Sequence, residues 1–161
     1  MVAETMLVAA TAVARHGQVV LLRGASGAGK SDLALRAICR PVQLPGEPNA
    51  EVFQLVSDDQ TVLTAVGDTV VAGAPGPLRD LLEVRGLGLV DVPAIVDLPV
   101  ALVVDLTGAE IERMPDDPGP GTSLLGRRFE SVQIAPFEAS APEKLALALA
   151  RTVKRRAGIS A

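Results

Sequence analysis

Aromatic residues are scarce in this sequence, which contains three Phe and neither Tyr nor Trp among 161 residues. Its core must therefore be built from Val, Leu, Ile and Ala, and it lacks the stacking platforms on which single-stranded nucleic acid binders depend. A surplus of basic residues is also missing, since the formal net charge is −4. Because binding to a phosphate backbone draws on such a surplus, nucleic acid is excluded as the main partner.

Cysteine and long apolar runs are equally scarce. The single cysteine, Cys39, excludes an internal disulfide, and with one His in the chain a structural zinc site is hard to assemble. Cys39 falls in a helix-like run, where we expect a small core residue. The segment that comes closest to a membrane span is interrupted by Asp91 and Asp97, and the amino-terminal stretch has no basic region and carries Glu4. We expect a cytoplasmic protein without a membrane partner.

The pattern of apolar residues predicts one α/β domain over residues 1–161, with a mixed, mostly buried sheet. Leu7 to Ala14 and Gln18 to Arg23 have the composition of strands, and a helix runs to about Arg40, where Pro41 ends it. Further strands are predicted at 52–56, 61–66, 69–71, 101–106 and 132–134, helices at 77–81 and 142–156, and loops at 41–50 and 113–126.

A glycine-rich segment lies between the second strand and the first helix and has the spacing Gly-x4-Gly-Lys-Ser. The glycines allow successive N–H groups to converge on one anion at the start of a helix. In such a P-loop, Lys30 reaches phosphate oxygens and the Ser31 hydroxyl ligates Mg²⁺. A glycine-rich turn without a ligand is the alternative, which the flanking strand and helix disfavour. The expected phosphate-binding residues are Gly24, Ala25, Ser26, Gly27, Ala28, Gly29, Lys30 and Ser31.

Two carboxylates, Asp58 and Asp59, come directly after the strand predicted at 52–56. This is where a Walker-B-like acid would stand, at the end of a strand near the phosphate loop. One carboxylate could hold Mg²⁺ while the other takes a proton from an incoming hydroxyl. An Asp pair also starts turns, so a purely structural role stays open.

Charged residues also interrupt the apolar segment from Leu82 to Val92, where Glu83 and Arg85 alternate with aliphatic residues. Burying such charges is costly unless they meet a partner or a metal. An internal ion pair, Glu83 with Arg85 or Arg85 with Asp91, is as well supported by the sequence as a functional role.

Taken in order, these motifs resemble the catalytic domain of the HPr kinase/phosphorylase family. The points of likeness are the P-loop followed by Asp32-Leu33-Ala34-Leu35, then Ser57-Asp58-Asp59, and above all Glu83-Val84-Arg85-Gly86-Leu87-Gly88-Leu89-Val90-Asp91-Val92. The likeness runs from about residue 5 to 140 and weakens after Leu106. It implies the fold of that catalytic domain, similar to the nucleotide-binding part of phosphoenolpyruvate carboxykinase, and a truncated form without the amino-terminal domain of many relatives.

Members of this family phosphorylate a serine of the small phosphocarrier protein HPr, using ATP or pyrophosphate with Mg²⁺, and they form hexamers. Carried onto this chain, the resemblance implies Ser31, Glu83 and Asp58 as the metal-binding residues. It implies Asp59 as the proton acceptor, and the basic catalytic residues would be Lys30, Arg85 and Arg113.

Two departures from the family pattern bear on the activity. The family's histidine on the first strand corresponds to Ala9, and the basic segment tied to dephosphorylation has no match at Ile134 to Phe137. We therefore expect kinase chemistry, with the phosphorylase reaction in doubt. A non-catalytic nucleotide sensor and a small-molecule P-loop kinase are the rival hypotheses. With no aromatic residue near the phosphate loop in the sequence, we expect weak discrimination among phosphate donors.

Overall fold

The computed structural model describes residues 2–159, which form a mixed sheet with two helices. The strands are β1 Thr5–Val8, β2 Ala10–Arg15, β3 Gln18–Arg23, β4 Gln54–Ser57, β5 Thr61–Val66, β6 Thr69–Gly73, β7 Leu81–Val84, β8 Gly88–Asp91, β9 Leu98–Leu106, β10 Thr122–Leu124 and β11 Arg127–Ile134. The helices are α1 Lys30–Cys39 and α2 Ala141–Arg156, and a 3₁₀ turn spans Gly76–Leu78.

Three parallel strands form the centre of the large sheet, with β9 between β3 and β11. The strand order is β1-β5-β6-β9-β3-β2-β4, and the remaining neighbours pair in antiparallel fashion. Strands β7 and β8 form a separate hairpin. Because β3, β9 and β11 run in the same direction, the segments that follow them leave the sheet at one edge, and the phosphate loop is the segment after β3.

Both faces of β3 and β9 are buried, which explains their continuous apolar sequences. Val20 and Leu22 of β3 belong to the cluster that packs against α1 and α2, whereas Val19 and Leu21 belong to a second cluster on the opposite face. The second cluster draws on β5 and β6, including Leu63. The α/β class with a mixed buried sheet, predicted from the sequence, is confirmed.

Several predicted boundaries were wrong. The strand predicted at 7–14 is divided by a bend at Ala9 into β1 and β2, and the loop predicted at 113–126 includes β10. Strand β11 begins at Arg127, not at 132, although its first half is charged. These charges are satisfied by partners, since Glu130 accepts hydrogen bonds from Thr152 and Arg155. The expectation that Cys39 is a core residue was also wrong. Cys39 is exposed, because it ends α1 outside the apolar stripe that faces the core.

The loop between α1 and β4 is fixed to the end of β2 by a buried guanidinium. Arg15, only 2% exposed, donates to both carboxylate oxygens of Glu47 at 2.8 and 2.7 Å and to the Val42 carbonyl oxygen at 2.8 Å. The hydrogen bonds from Arg15, opposed by burial, lower the pKa of Glu47 from 4.5 to about 2. The proline-rich loop is thus anchored at the end of β2 that lies away from Ala10.

Across residues 2–159, neither helix combines the length and the apolar character needed to cross a membrane.

Candidate active site

The phosphate loop joins β3 to α1 and adopts the open conformation that anion binding requires. Gly27 and Gly29 have φ values of +81° and +96°, a region that favours glycine. Within the loop, the Ala28 amide donates to the Ala25 carbonyl oxygen at 2.9 Å. Between residues 2 and 159, no hydrogen-bond acceptor is found for the amides of Ser26, Gly27 and Gly29. Such unpaired N–H groups next to a helix N-terminus fit an anionic ligand.

The ammonium group of Lys30 lies inside this loop. Its Nζ donates to the carbonyl oxygens of Gly24 at 2.7 Å and Ala25 at 3.2 Å, and the residue is 7% exposed. An ammonium group has three N–H donors, so one is left for a ligand oxygen. The loop therefore holds a buried positive charge beside its unpaired amides.

Behind the loop, Asp58 accepts hydrogen bonds from three elements. Its Oδ1 accepts from the Ser31 hydroxyl at 2.7 Å and from the Thr11 hydroxyl at 2.9 Å. Its Oδ2 accepts from the Glu83 amide at 2.9 Å. This 6% exposed carboxylate thus ties the start of α1 to β2 and to the β7–β8 hairpin.

Asp59, the next residue, is exposed, in contrast to the buried Asp58. Its φ of +63° is in the left-handed region, which Asp tolerates better than most residues. Its amide donates to Thr11 Oγ1 at 3.0 Å, so one hydroxyl fixes both acids of the pair. The Asp59 side chain is exposed and lines the same cleft as Lys30.

The β7–β8 hairpin supplies Glu83 and Arg85 to the lining of the cleft. Both are exposed, so the cost of burial that the sequence pattern suggested does not arise. No ion pair forms between Arg85 and either Glu83 or Asp91, all of which lie within the described residues. The interpretation of this segment as an internal ion pair was wrong, and both charged groups remain available to a ligand.

The cleft has a volume of about 380 Å³, within the range of small-molecule sites. It is lined by Ser26, Gly27, Gly29, Lys30, Ser31, Asp32, Leu35, Asp59, Glu83, Val84, Arg85 and Phe137. Of the predicted site residues, Gly24, Ala25, Ala28 and Asp58 are not part of this lining. The expectation that no aromatic residue lies near the phosphate loop was wrong, because Phe137 comes to the loop from the distant end of β11.

Arg113 is not among the residues that line the cleft. It is exposed in the segment between β9 and β10. That segment begins at the carboxyl end of β9, at the same edge of the sheet as the phosphate loop. The catalytic role implied for Arg113 stays a prediction.

The residues present fit a Mg²⁺–polyphosphate ligand. Because the Ser31 hydroxyl uses its proton on Asp58, its oxygen lone pairs can face a cation. Throughout residues 2–159, no three His, Cys, Asp or Glu side chains cluster closely enough to hold a metal by themselves. Mg²⁺ in phosphate sites typically takes one or two carboxylates and completes its shell with phosphate oxygens and water, which matches this donor set.

The model of the HPr serine kinase C-terminal domain matches residues 1–100 of the chain. The chain belongs to this family. The matched residues include the phosphate loop, the Asp58–Asp59 pair and the β7–β8 hairpin of the HPr kinase domain, and they end before Arg113. The resemblance inferred from the sequence motifs is thereby confirmed.

Individual relatives agree with the family assignment. The HPr kinase/phosphorylase of Lactiplantibacillus plantarum is 32% identical over 162 residues, which cover 96% of this chain and 47% of that protein. The HPr kinase/phosphorylase of Cupriavidus necator is 34% identical over 158 residues, covering 89% and 44%. The chain therefore spans about half the length of these curated relatives.

A solved structure shares the fold. The Hpr(Ser) kinase/phosphatase from Coxiella burnetii superposes with a TM-score of 0.70 at 24% identity, over 95% of this chain and 99% of that chain. The family's catalytic-domain fold, expected from the sequence, is confirmed by this match.

Proposed function

We propose that residues 1–161 form one Mg²⁺-dependent protein-serine kinase domain, which transfers phosphate from ATP or pyrophosphate to a serine of an HPr-like phosphocarrier protein in the cytoplasm. The observation that carries the proposal is the 2.7 Å hydrogen bond between Ser31 and Asp58, two residues separated by 27 positions. It joins the phosphate loop to an acid pair whose second member, Asp59, lines the same cleft as Lys30 and Glu83.

Phosphate binding would use groups that are already in position. The unpaired amides of Ser26, Gly27 and Gly29 surround the bound oxygens, and the remaining N–H donor of Lys30 binds the transferred group. Negative charge that spreads over this group in the transition state would be stabilised by Lys30 and by Arg85, which lines the same cleft. Arg113 would join them from its loop, which starts at the same edge of the sheet.

Proton transfer would fall to Asp59. As the serine oxygen bonds to the terminal phosphorus, the bond from that phosphorus to the bridging oxygen breaks, and ADP (or phosphate, when pyrophosphate is the donor) leaves. The serine hydroxyl loses its proton to the Asp59 carboxylate. Asp59 suits this task because it is exposed in the cleft, whereas Asp58 is occupied by three hydrogen bonds.

Ser31 and Glu83 would hold Mg²⁺ directly, with Asp58 supporting Ser31 from behind. When bound, Mg²⁺ neutralises phosphate charge and aligns the donor with the acceptor oxygen. The phosphorylase reaction is not part of this proposal, because Ala9 stands at the family's histidine position in the exposed bend between β1 and β2.

The direct test incubates the protein with labelled ATP, Mg²⁺ and HPr, and then analyses HPr for phosphoserine. The kinase proposal expects labelled phosphoserine on HPr. Nucleotide binding without transfer to HPr would contradict it and would favour the non-catalytic sensor, and transfer only to small molecules would favour the rival kinase class.

The matched variant for this assay is Asp59→Asn, which keeps the size and removes the base. We expect turnover to fall by about a hundredfold or more, as for loss of a general base, with nucleotide affinity within about twofold of wild type. Equal turnover in the two proteins would remove Asp59 from its assigned role.

A further inference from the structure

Phe137 differs from the two other phenylalanines in its exposure. Phe53 and Phe129 are 0% and 5% exposed and belong to the two cores, whereas Phe137 is 69% exposed. A ring left in water forgoes the stabilisation that burial gives the others. Phe137 lines the same cleft as Lys30.

The turn that carries Phe137 is held in place on both sides. The Glu138 amide donates to the Ala135 carbonyl oxygen at 3.4 Å and closes the turn. The Arg36 guanidinium of α1 donates to the carbonyl oxygens of Pro136 and Glu138. Phe137 is therefore presented at the tip of a fixed turn and does not fold back into a core.

The ring also contacts the phosphate loop itself. A Cβ atom placed on Gly29 would lie 2.9 Å from Phe137 Cζ and 3.1 Å from Pro136 Cβ. Glycine at this position thus allows both the loop conformation and the close approach of the ring. A ligand whose phosphates occupy the loop amides would have its remaining part within reach of the face of Phe137.

We propose that Phe137 is the platform on which the base of a nucleoside triphosphate stacks, so that this site takes a nucleotide in preference to pyrophosphate. This inference rests on the proposed function, because it assigns the donor of that reaction. An aromatic face binds a base with little regard to its identity, since every base has a π-face. We therefore expect ATP and GTP to bind with similar affinity and both to bind more tightly than tripolyphosphate, which has the same charged chain and no base.

The test measures binding of Mg·ATP and Mg·tripolyphosphate by calorimetry to wild type, Phe137→Ala and Phe137→Trp. If the base stacks on Phe137, Phe137→Ala should weaken ATP binding by about tenfold and leave tripolyphosphate binding within about twofold of wild type. Phe137→Trp should retain the ATP affinity of wild type. Because Phe137 is exposed, the melting temperature of each variant should stay near that of wild type.

The outcomes separate this inference from the function on which it rests. If wild type binds tripolyphosphate as tightly as ATP and Phe137→Ala changes neither, the base platform is refuted while the phosphate site stands. If wild type binds neither ligand, the proposed function itself fails.

A second readout does not depend on activity. With 4-fluorophenylalanine incorporated, the three phenylalanines give separate ¹⁹F signals, and the signal lost in Phe137→Leu identifies Phe137. We expect ATP to shift this signal further than tripolyphosphate does, while the signals of buried Phe53 and Phe129 stay in place. Equal shifts with the two ligands would overturn the proposal.

Discussion

The two sides of the cleft differ in how completely the chain satisfies its own charged groups. On the phosphate side, Lys30 donates to two loop carbonyl oxygens, and Asp58 accepts three hydrogen bonds, including one from Ser31. On the acceptor side, the carboxylates of Asp59 and Glu83 are exposed, and neither accepts a hydrogen bond from another residue between 2 and 159. The charged groups of the phosphate side are held in place by hydrogen bonds within the chain, whereas those of the acceptor side are exposed and free to meet a partner.

In the proposed reaction, this difference would decide which step each side controls. Preorganised donors bind phosphate without further rearrangement, which is where electrostatic stabilisation is most effective. Exposed side chains such as Arg85 and Arg113 can adjust to the docking of a second protein. Changes on the phosphate side should therefore affect both binding and transfer. On the acceptor side, changes at residues that would not hold Mg²⁺, such as Asp59 and Arg113, should affect transfer alone.

The largest effect is expected for Lys30→Met, which removes the positive charge from the loop. Without the ammonium group, both the bound phosphates and the transition state lose a charged donor, so kcat/KM should fall by about a thousandfold or more. Calorimetry with Mg·ATP measures the loss of phosphate binding, and the rate of HPr phosphorylation measures the loss of transition-state stabilisation. Lys154→Met, at the exposed end of α2, is the control and should match wild type. Unchanged ATP affinity in Lys30→Met would contradict the assignment of this side.

Arg113→Ala tests the acceptor side. If Arg113 reaches the transferred group only when both substrates are bound, turnover should fall by about a hundredfold while ATP affinity stays within about twofold. Arg40→Ala, an exposed arginine at the end of α1, controls for loss of positive charge. Should ATP affinity fall in parallel with turnover, Arg113 would belong to the phosphate side instead.

Thr11 is a positioning residue that links the two sides, because its hydroxyl contacts both Asp58 and the Asp59 amide. Thr11→Val should lower kcat by about tenfold through misplacement of Asp59, with KM for ATP nearly unchanged, and Thr11→Ser should restore activity. The lost hydrogen bonds should also cost about 1–3 kcal/mol of unfolding free energy.

Thr152→Val separates the two effects. Thr152 is buried and donates to the Glu130 carboxylate at 2.9 Å, away from the cleft. Thr152→Val should lower the free energy of unfolding by about as much as Thr11→Val does, and it should leave kcat unchanged. An equal loss of kcat in both variants would show that Thr11 acts only through stability.

The smallest effect on activity is expected for Glu47→Gln, which removes the charged partner of Arg15. Its depressed pKa means that the carboxylate stabilises the fold fully above about pH 4.5, and that this stabilisation is lost as pH falls towards about 2. With Glu47 partly exposed, we expect the variant to be about 2 kcal/mol less stable at pH 7. The difference should narrow below pH 4.5 in urea denaturation.

Asp68→Asn, in the exposed turn between β5 and β6, is the control and should not change stability, because the Asp68 carboxylate has no ion pair among residues 2–159. Kinase activity should be the same in both variants, since Arg15 lies at the opposite end of β2 from Thr11. A difference between wild type and Glu47→Gln that stays constant down to pH 2 would contradict the ion pair as its cause.

The sequence was most informative where the chemistry is local. The phosphate loop from Gly24 to Ser31 could be predicted from spacing alone, because its function depends on consecutive amides and on the helix that follows. For Asp58, the sequence predicted only a place at the end of a strand near the phosphate loop. It did not predict the contact between Asp58 and Ser31. The hydrogen bond that joins them requires the antiparallel pairing of β2 with β4, which no local pattern specifies.

The residues that sequence reasoning missed come from distant segments. One feature of the sequence could have pointed to Thr11, because it is a polar residue in an otherwise apolar strand. No such feature pointed to Phe137, because the parallel pairing of β9 with β11, which brings it to the phosphate loop, is a long-range feature. The charged first half of β11 concealed the start of this strand, which the sequence predicted only at 132–134, because Glu130 is satisfied by hydrogen bonds from α2.

The central claim, that this cleft binds a polyphosphate together with Mg²⁺, is tested most directly by calorimetry of the wild-type protein with ATP and pyrophosphate, with and without excess EDTA. We expect saturable binding of one ligand per chain in Mg²⁺ and loss of this binding when EDTA removes the metal. Absence of binding to either ligand, or binding that is equal with and without Mg²⁺, would contradict the account.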